Sequence, residues 1–195
     1  NSKFVVTYAD SGNSDRGTAK VGTVSGTAIS YGSATVYETG GSSWPDLTYD
    51  SANGKVVAVI TDNSTTNIKA YVGTVSGTSI TFGSGVIVNS GQTGEFNAIG
   101  YDVQSGKVIV AYEDRGNSYY GTAKVGTVSG TSISFGAAVV FRAANTGNAY
   151  FLVGYDAGVG RTNIFFRTTD ALTQGLVATG TVSGTSITFD SNFTV

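Results

Sequence analysis

The feature that most constrains this chain is a ten-residue stretch that returns four times. It reads Gly22-Thr-Val-Ser-Gly-Thr-Ala-Ile-Ser-Tyr31, then Gly73-Thr-Val-Ser-Gly-Thr-Ser-Ile-Thr-Phe82, then Gly126 to Phe135 and Gly180 to Phe189 in nearly the same letters. The copies start 51, 53 and 54 residues apart, and a fixed period of that size marks a repeat architecture. Each copy sets two short runs rich in Val, Ile, Thr and Phe around a Ser-Gly pair, the signal for an antiparallel hairpin. A turn at Ser76-Gly77 pairs Val75 with Thr78, Thr74 with Ser79 and Gly73 with Ile80. Alternation then places Tyr71, Val75, Ile80 and Phe82 on one face, and Val72, Thr74, Ser79 and Thr81 on the other. A glycine opposite each isoleucine (Gly22, Gly73, Gly126, Gly180) reads as room for an adjacent sheet.

The hairpin supplies two strands of a larger unit. A strand precedes it at Lys3–Asp10, Lys55–Asp62 and Lys107–Asp114. Before that comes another, ending in Tyr-Asp at Asp50, Asp102 and Asp156, joined to its successor by a four-residue loop that closes on Gly54, Gly106 or Gly160. Such loops fit a turn finished by a left-handed glycine. After the hairpin a Gly-Ser or Gly-Ala kink, a candidate bulge, leads into Ala34–Tyr37, Val86–Val88, Val139–Phe141 and Phe193–Val195. Four strands per period, in the order A, B, C, D, predict an all-β fold of β-propeller type. It forms a single repeat domain over 1–195, with units at about 1–45, 46–95, 96–148 and 149–195. The first unit has no A strand, so fifteen strands stand where four complete blades need sixteen. Either that strand lies upstream of Asn1, or a neighbouring chain supplies it, or the chain is an arc of a propeller with more blades, or four blades close one ring without it. An unpaired edge invites association, so other copies or a neighbouring protein are the expected partners.

Composition narrows the chemistry. With 28 glycines, one proline and 12% charged residues, the chain favours strands and turns. The formal charge of -2 comes without a basic tract, which argues against nucleic acid. Cysteine and histidine are absent; this removes disulfides, thiolate chemistry, the Ser-His-Asp triad and the commonest zinc ligands. No apolar run approaches the ~20 residues of a membrane-spanning helix. No signal peptide precedes Asn1, and the chain starts inside a repeat, as a mature or excised product would.

In a propeller the A–B and C–D turns share one face and the D–A and B–C loops the other. Here the first set recurs in sequence and the second diverges from copy to copy, so the variable loops are the expected ligand face. They carry Arg16, Trp44, Glu95, Arg115, Tyr119, Tyr120 and Arg142, residue types that anchor binding patches. Asp10, Asp62 and Asp114, with Asp170 nearly in register, end strand B and are weighed in two ways: as oxygen ligands for a hard cation, or as caps of the following turn. Asp50, Asp102 and Asp156 are read as caps. An enzymatic reading rests on Glu38, Glu95 and Glu113, the only glutamates, and none stands in a recognisable hydrolase motif. No cofactor is implied.

The Gly-Thr-Val-Ser-Gly-Thr-Ser-Ile-Thr-Phe-Gly stretch resembles repeats of bacteriophage tail and other virion proteins and of secreted bacterial surface proteins. That resemblance covers all four copies and implies extracellular or virion display with a structural or adhesive task. It carries over no catalytic residue. The expectation is a non-enzymatic propeller for assembly or host attachment, with a lectin-like glycan binder and a glycan-cleaving enzyme as the alternatives.

Overall fold

A computed structural model describes residues 2–91, 93–147, 149–168, 174–190 and 193–194, with side chains for all of these except 2, 93–95 and 193–194. Eighteen strands appear among them: β1 Ser2–Asp10, β2 Arg16–Ser25, β3 Ala28–Tyr31, β4 Thr35–Asp50, β5 Lys55–Asp62, β6 Asn67–Ser76, β7 Ser79–Phe82, β8 Val86–Asn89 and β9 Thr93–Asp102. β10 Lys107–Asp114, β11 Tyr120–Ser129, β12 Ser132–Phe135, β13 Val139–Asn145, β14 Phe151–Asp156, β15 Arg161–Arg167, β16 Gly175–Ser183, β17 Ser186–Phe189 and β18 Phe193–Thr194 complete the series. Two single 3₁₀ turns, Ser11–Asn13 and Arg115–Asn117, follow β1 and β10. The fold is all-β, and every pairing is antiparallel.

The sheets follow the chain in order and pack one on the next. Unit 3 is the sheet β9–β10–β11–β12 with β13 also on β11, and unit 4 is β14–β15–β16–β17 with β18 on β16. Units 1 and 2 share one eight-stranded sheet. They are joined by β4, whose first half pairs with β2 and whose second half pairs with β5. The stretch that carries Trp44, expected as a variable loop, is therefore strand. Ser42 and Ser43 pair with Asp62 and Thr61, and the register slips only at Trp44-Pro45, where Trp44 takes φ 53. Apolar clusters weld unit 1 to 2 through Val21 and Val56, 2 to 3 through Val57 and Val110, and 3 to 4 through Ile109 and Ile164. Among the described residues the series does not close into a ring, so a complete four-bladed propeller is not formed.

The hairpin keeps its predicted faces but not its predicted register. Ser76 pairs with Ser79, Val75 with Ile80 and Gly73 with Phe82, so the loop is Gly77-Thr78 and not Ser76-Gly77. Gly77 has φ 60; a two-residue loop that turns with the twist of its strands wants the left-handed residue first, and only glycine takes that without strain. The shift is by two positions, which preserves faces because side chains alternate with period two. Glycine 73 likewise has a different neighbour from the one expected. A Cβ there would meet Ile80 and Phe82, both at 2.8 Å; the space serves the hairpin's own side chains and not an adjacent sheet. The A–B loops do close on left-handed glycines, with φ 63, 66 and 65 at Gly54, Gly106 and Gly160.

One strand is uncovered. β1 lies at the end of its sheet, with no A strand beside it among the described residues. Phe4 to Asp10 are half-buried throughout, while the matching stretches Val56–Asp62 and Val108–Glu113 are buried.

Candidate functional site

The sequence-derived site residues do not converge on one place. Arg16 opens β2 in unit 1, where its Nε donates to the Thr39 carbonyl (3.1 Å) and Nη1 to Asn13 Oδ1 (3.4 Å). Arg115, Tyr119, Tyr120 and Arg142 all belong to unit 3. Arg115 Nε reaches the buried Glu113 carboxylate at 3.4 Å. Tyr119, 44% exposed with φ 61, lends its carbonyl to the Thr146 amide (3.0 Å). Tyr120 pairs with Asn145, and Arg142 with Gly121, across β11 and β13. The Glu95 side chain and all of Asp170 lie outside the described residues.

Trp44 instead joins a cluster with two aromatics outside the sequence-derived set. Its ring lies 4.2 Å from Phe96, and Phe96 lies 4.2 Å from Tyr150, with interplanar angles of 49° and 47°. Phe96 is the buried wedge, while Trp44 and Tyr150 are 38% and 60% exposed. The sequence does contain the signal: each aromatic stands five residues before the tyrosine of Tyr-Asp, at Tyr49, Tyr101 and Tyr155. Since the A strands of units 2, 3 and 4 lie side by side, equal register brings the three rings together. Beside them Asn97 Nδ2 donates to Thr61 (3.1 Å), and its buried Oδ1 has no partner among the described residues.

Two of the three aspartates at the end of strand B, Asp62 and Asp114, behave as turn caps. Asp114 Oδ1 accepts from the Gly116 amide, and Asp62 accepts from the Ser64 amide and the Ser64 and Thr65 hydroxyls. The 3₁₀ turn after Asp10 has no side-chain cap. Among the described residues no three potential ligands cluster around one point, so Asp10, Asp62 and Asp114 do not assemble a metal centre. Asp50, Asp102 and Asp156 cap the A–B loops, and Asp102 also accepts from Thr162 of the next unit at 2.9 Å.

Two of the three glutamates are engaged inside the fold. Glu38 accepts from Lys69 (2.8 Å), Tyr71 (2.5 Å) and the Gly40 amide (2.9 Å), and Lys69 also pairs with Asp62 at 2.8 Å. Burial opposes ionisation of both carboxylates, yet Lys69 and the other donors hold each below its ordinary range. Burial likewise opposes a charged Lys69, and the two acids more than reverse it, raising its pKa. Tyr37 beside them, hydrogen-bonded to Thr7 (2.6 Å), is pushed up to about 12 chiefly by burial. This network ties unit 1 to unit 2. Glu113 accepts from Thr146 (2.9 Å) and from Arg115.

Two clefts open between units at the opposite, recurrent-turn end. One of about 560 Å³ lies between units 3 and 4 and includes Asp102, Lys107 and Arg161. Another of about 510 Å³ lies between units 1 and 2 along Lys3, Val5, Leu47 and Tyr49. The cations here repeat a single contact, donated from the start of strand B to the threonine of Gly-Thr-Val: Lys3 to Thr23, Lys55 to Thr74, Lys107 to Thr127 and Arg161 to Thr181, at 2.6–3.3 Å. No family model, curated protein or solved structure matches this chain.

Proposed function

We propose that the chain is a non-enzymatic, propeller-like scaffold of an extracellular or virion-borne structure, and that its task is assembly with a neighbouring protein. The observation that carries this reading is the open groove along β1, which lies at the end of its sheet. In units 3 and 4 the tyrosine of Tyr-Asp reaches the A–B loop of the preceding unit: Tyr101 Oη accepts from the Ala52 amide at 3.2 Å, and Tyr155 approaches Gln104 at 3.4 Å. Tyr49, the same residue in unit 2, is 57% exposed beside the groove along β1. An added strand fits there by β-augmentation. Its register follows from Asp50 opposite Lys55 and Tyr49 opposite Val56: an aspartate opposite Lys3, a tyrosine opposite Phe4. The engagement of Glu38 and Glu113 within the fold supports the non-enzymatic side of the reading.

A peptide copying residues 96–105 tests it. Bound to β1, it raises the unfolding midpoint of the chain as its concentration rises, and the same peptide with Ile99→Pro, which loses a backbone donor, has no such effect. An unchanged midpoint with the unmodified peptide at millimolar concentration overturns the edge as a receptor.

The aromatic cluster favours a second reading, attachment to glycans, because Trp44 and Tyr150 stand exposed on either side of buried Phe96 and offer aromatic surface for stacking. Trp44 is the one tryptophan, so its emission reports this site alone. Saturable quenching by an oligosaccharide, abolished in Tyr150→Ala, supports attachment; silence across a broad glycan array removes it.

A further inference from the structure

The two ends of the stack are not equivalent, and the difference is written at positions that the repeat aligns. Between consecutive units the same backbone contact recurs. Gly32 packs on the Thr78 carbonyl, Gly83 on that of Thr131 and Gly136 on that of Thr185, so closely that a Cβ on any of these glycines would collide with the carbonyl oxygen. Each glycine follows the hairpin of one unit, and each threonine sits in the hairpin loop of the next. The fourth residue of the glycine series is Asp190. It occupies the same backbone position: the amides of Gly32, Gly83 and Gly136 donate to Val21, Val72 and Val125, and that of Asp190 donates to Thr179.

Unit 4 thus carries a side chain where every other unit needs none. Its outward face departs from the pattern elsewhere too. Val57 and Ile109, which face the next unit, are replaced by Asn163, and Val72 and Val125 by Thr179. Thr179 donates to Asn163 at 2.8 Å, and Asp190 pairs with Arg161 at 3.0 Å. Phe165, 41% exposed, stands where units 2 and 3 have Val59 and Ala111. A polar, atypical outer face is how a terminal repeat ends a stack.

Unit 1 shows the reverse. Its outward face keeps the hairpin isoleucine that units 2, 3 and 4 bury against their predecessors. Ile29 is 56% exposed, whereas Ile80, Ile133 and Ile187 are at most 4% exposed. Lys20 aligns with Tyr71, which bonds Glu38 of the preceding unit, and with Lys124, whose Nζ donates to the Val88 carbonyl of the preceding unit at 2.5 Å. Lys20 itself makes no such bond among the described residues.

We propose that the outward face of unit 1 is an interaction surface for a further sheet of this same repeat, of the glycine-bearing kind found in units 1–3, and that unit 4 is closed to the same contact. The inference rests on the assembly reading and adds direction to it. The chain joins a series at one end and terminates it at the other. Unmodified copies do not stack head to tail, because Asp190 fills the position that must be empty for Thr27 of a second copy.

The test remakes the closed end. A variant with Asn163→Val, Phe165→Ala, Thr179→Val and Asp190→Gly is given Ile29→Asp as well, so that its own first unit cannot be docked upon. Light scattering with size exclusion is expected to show this variant alone as a monomer, the unmodified chain alone as a monomer, and their mixture as a one-to-one complex. The mixture with a chain bearing only Ile29→Asp shows no complex. Should the multiple variant fail to unfold cooperatively, Asp190→Gly with Ile29→Asp takes its place with the same readout. A folded variant that stays apart from the unmodified chain overturns the proposal. So does an unmodified chain that dimerises by itself and loses this on Ile29→Asp, since the face then pairs with its own kind. Neither result bears on strand capture at the β1 edge, whose peptide test stands or falls independently.

Discussion

Lys69 holds two carboxylates that would otherwise be buried without a counter-charge. Removing one partner of a buried ionic cluster leaves uncompensated charge and costs ~3–5 kcal/mol; at 23% side-chain exposure Lys69→Met belongs at the lower end, about 3 kcal/mol. The pH dependence follows from the directions of shift. Glu38 and Asp62 are depressed in the folded state, so their contribution is present above their unfolded values and is lost as pH falls through the folded ones. Lys69 is raised, so its share is complete below its unfolded value and is lost as pH rises through the folded one. Urea unfolding is therefore expected to show the largest gap between Lys69→Met and the parent near about pH 7, narrowing towards about pH 2 as the acids protonate. A gap independent of pH would assign the loss to packing of the lysine stem. The interunit glycines make a second case at this scale. Gly83→Ala forces a carbon into the Thr131 carbonyl and is expected to cost ~1–3 kcal/mol through displaced backbone, while Asp190→Ala, at the aligned position of unit 4, changes the midpoint little.

The hairpin separates what its sequence encodes strongly from what it encodes weakly. Its faces were legible because alternation of Val, Ile and Phe with Thr and Ser has only one burial solution. Its register was not, because Ser-Gly and Gly-Thr both make acceptable two-residue loops on paper, and the choice falls to the single φ of 60° at Gly77. The same reasoning sorts two glycine substitutions. Gly77→Ala meets nothing within 4 Å, so its cost is backbone strain alone, ~1–2 kcal/mol. Gly73→Val drives carbons into Ile80 and Phe82 and costs ~1–3 kcal/mol by overpacking. Chemical denaturation of both variants distinguishes the causes: cutting Ile80 back to Ala rescues Gly73→Val in part and does nothing for Gly77→Ala. The candidate site was less legible than the hairpin. Arg16 and Trp44 look alike as anchors in a variable loop, yet the sheet turns Arg16 onto its own unit's backbone and Trp44 onto Phe96. Phe96 and Tyr150 do not stand out beside Trp44 because they differ from it in type, although their distance to Tyr-Asp is the same. Position within the repeat, and not residue identity, was the informative variable.

For the molecule as a whole, a series whose apolar clusters join consecutive units makes stability approximately a sum of unit and interface contributions, so one substitution repeated at four aligned sites samples the environment of each unit. The isoleucine of the hairpin offers that series. Ile80, Ile133 and Ile187 are buried against the preceding unit at 2%, 4% and 2% exposure, and Ile29 is exposed at 56%. Replacing each of the first three by alanine removes buried methylenes and leaves a cavity, at ~2–5 kcal/mol; the same change at Ile29 is expected to stay within about 0.5 kcal/mol. The midpoint of urea unfolding, compared across the four variants, decides it. Ile29→Ala as costly as the others would mean that in solution the first unit is already covered by another copy, and the cost would then fall on dilution as the copies separate. Ile29→Ala without effect on the isolated chain would leave an intact apolar face that contributes nothing to folding. Such a face has a physical use only where a second sheet comes to lie on it.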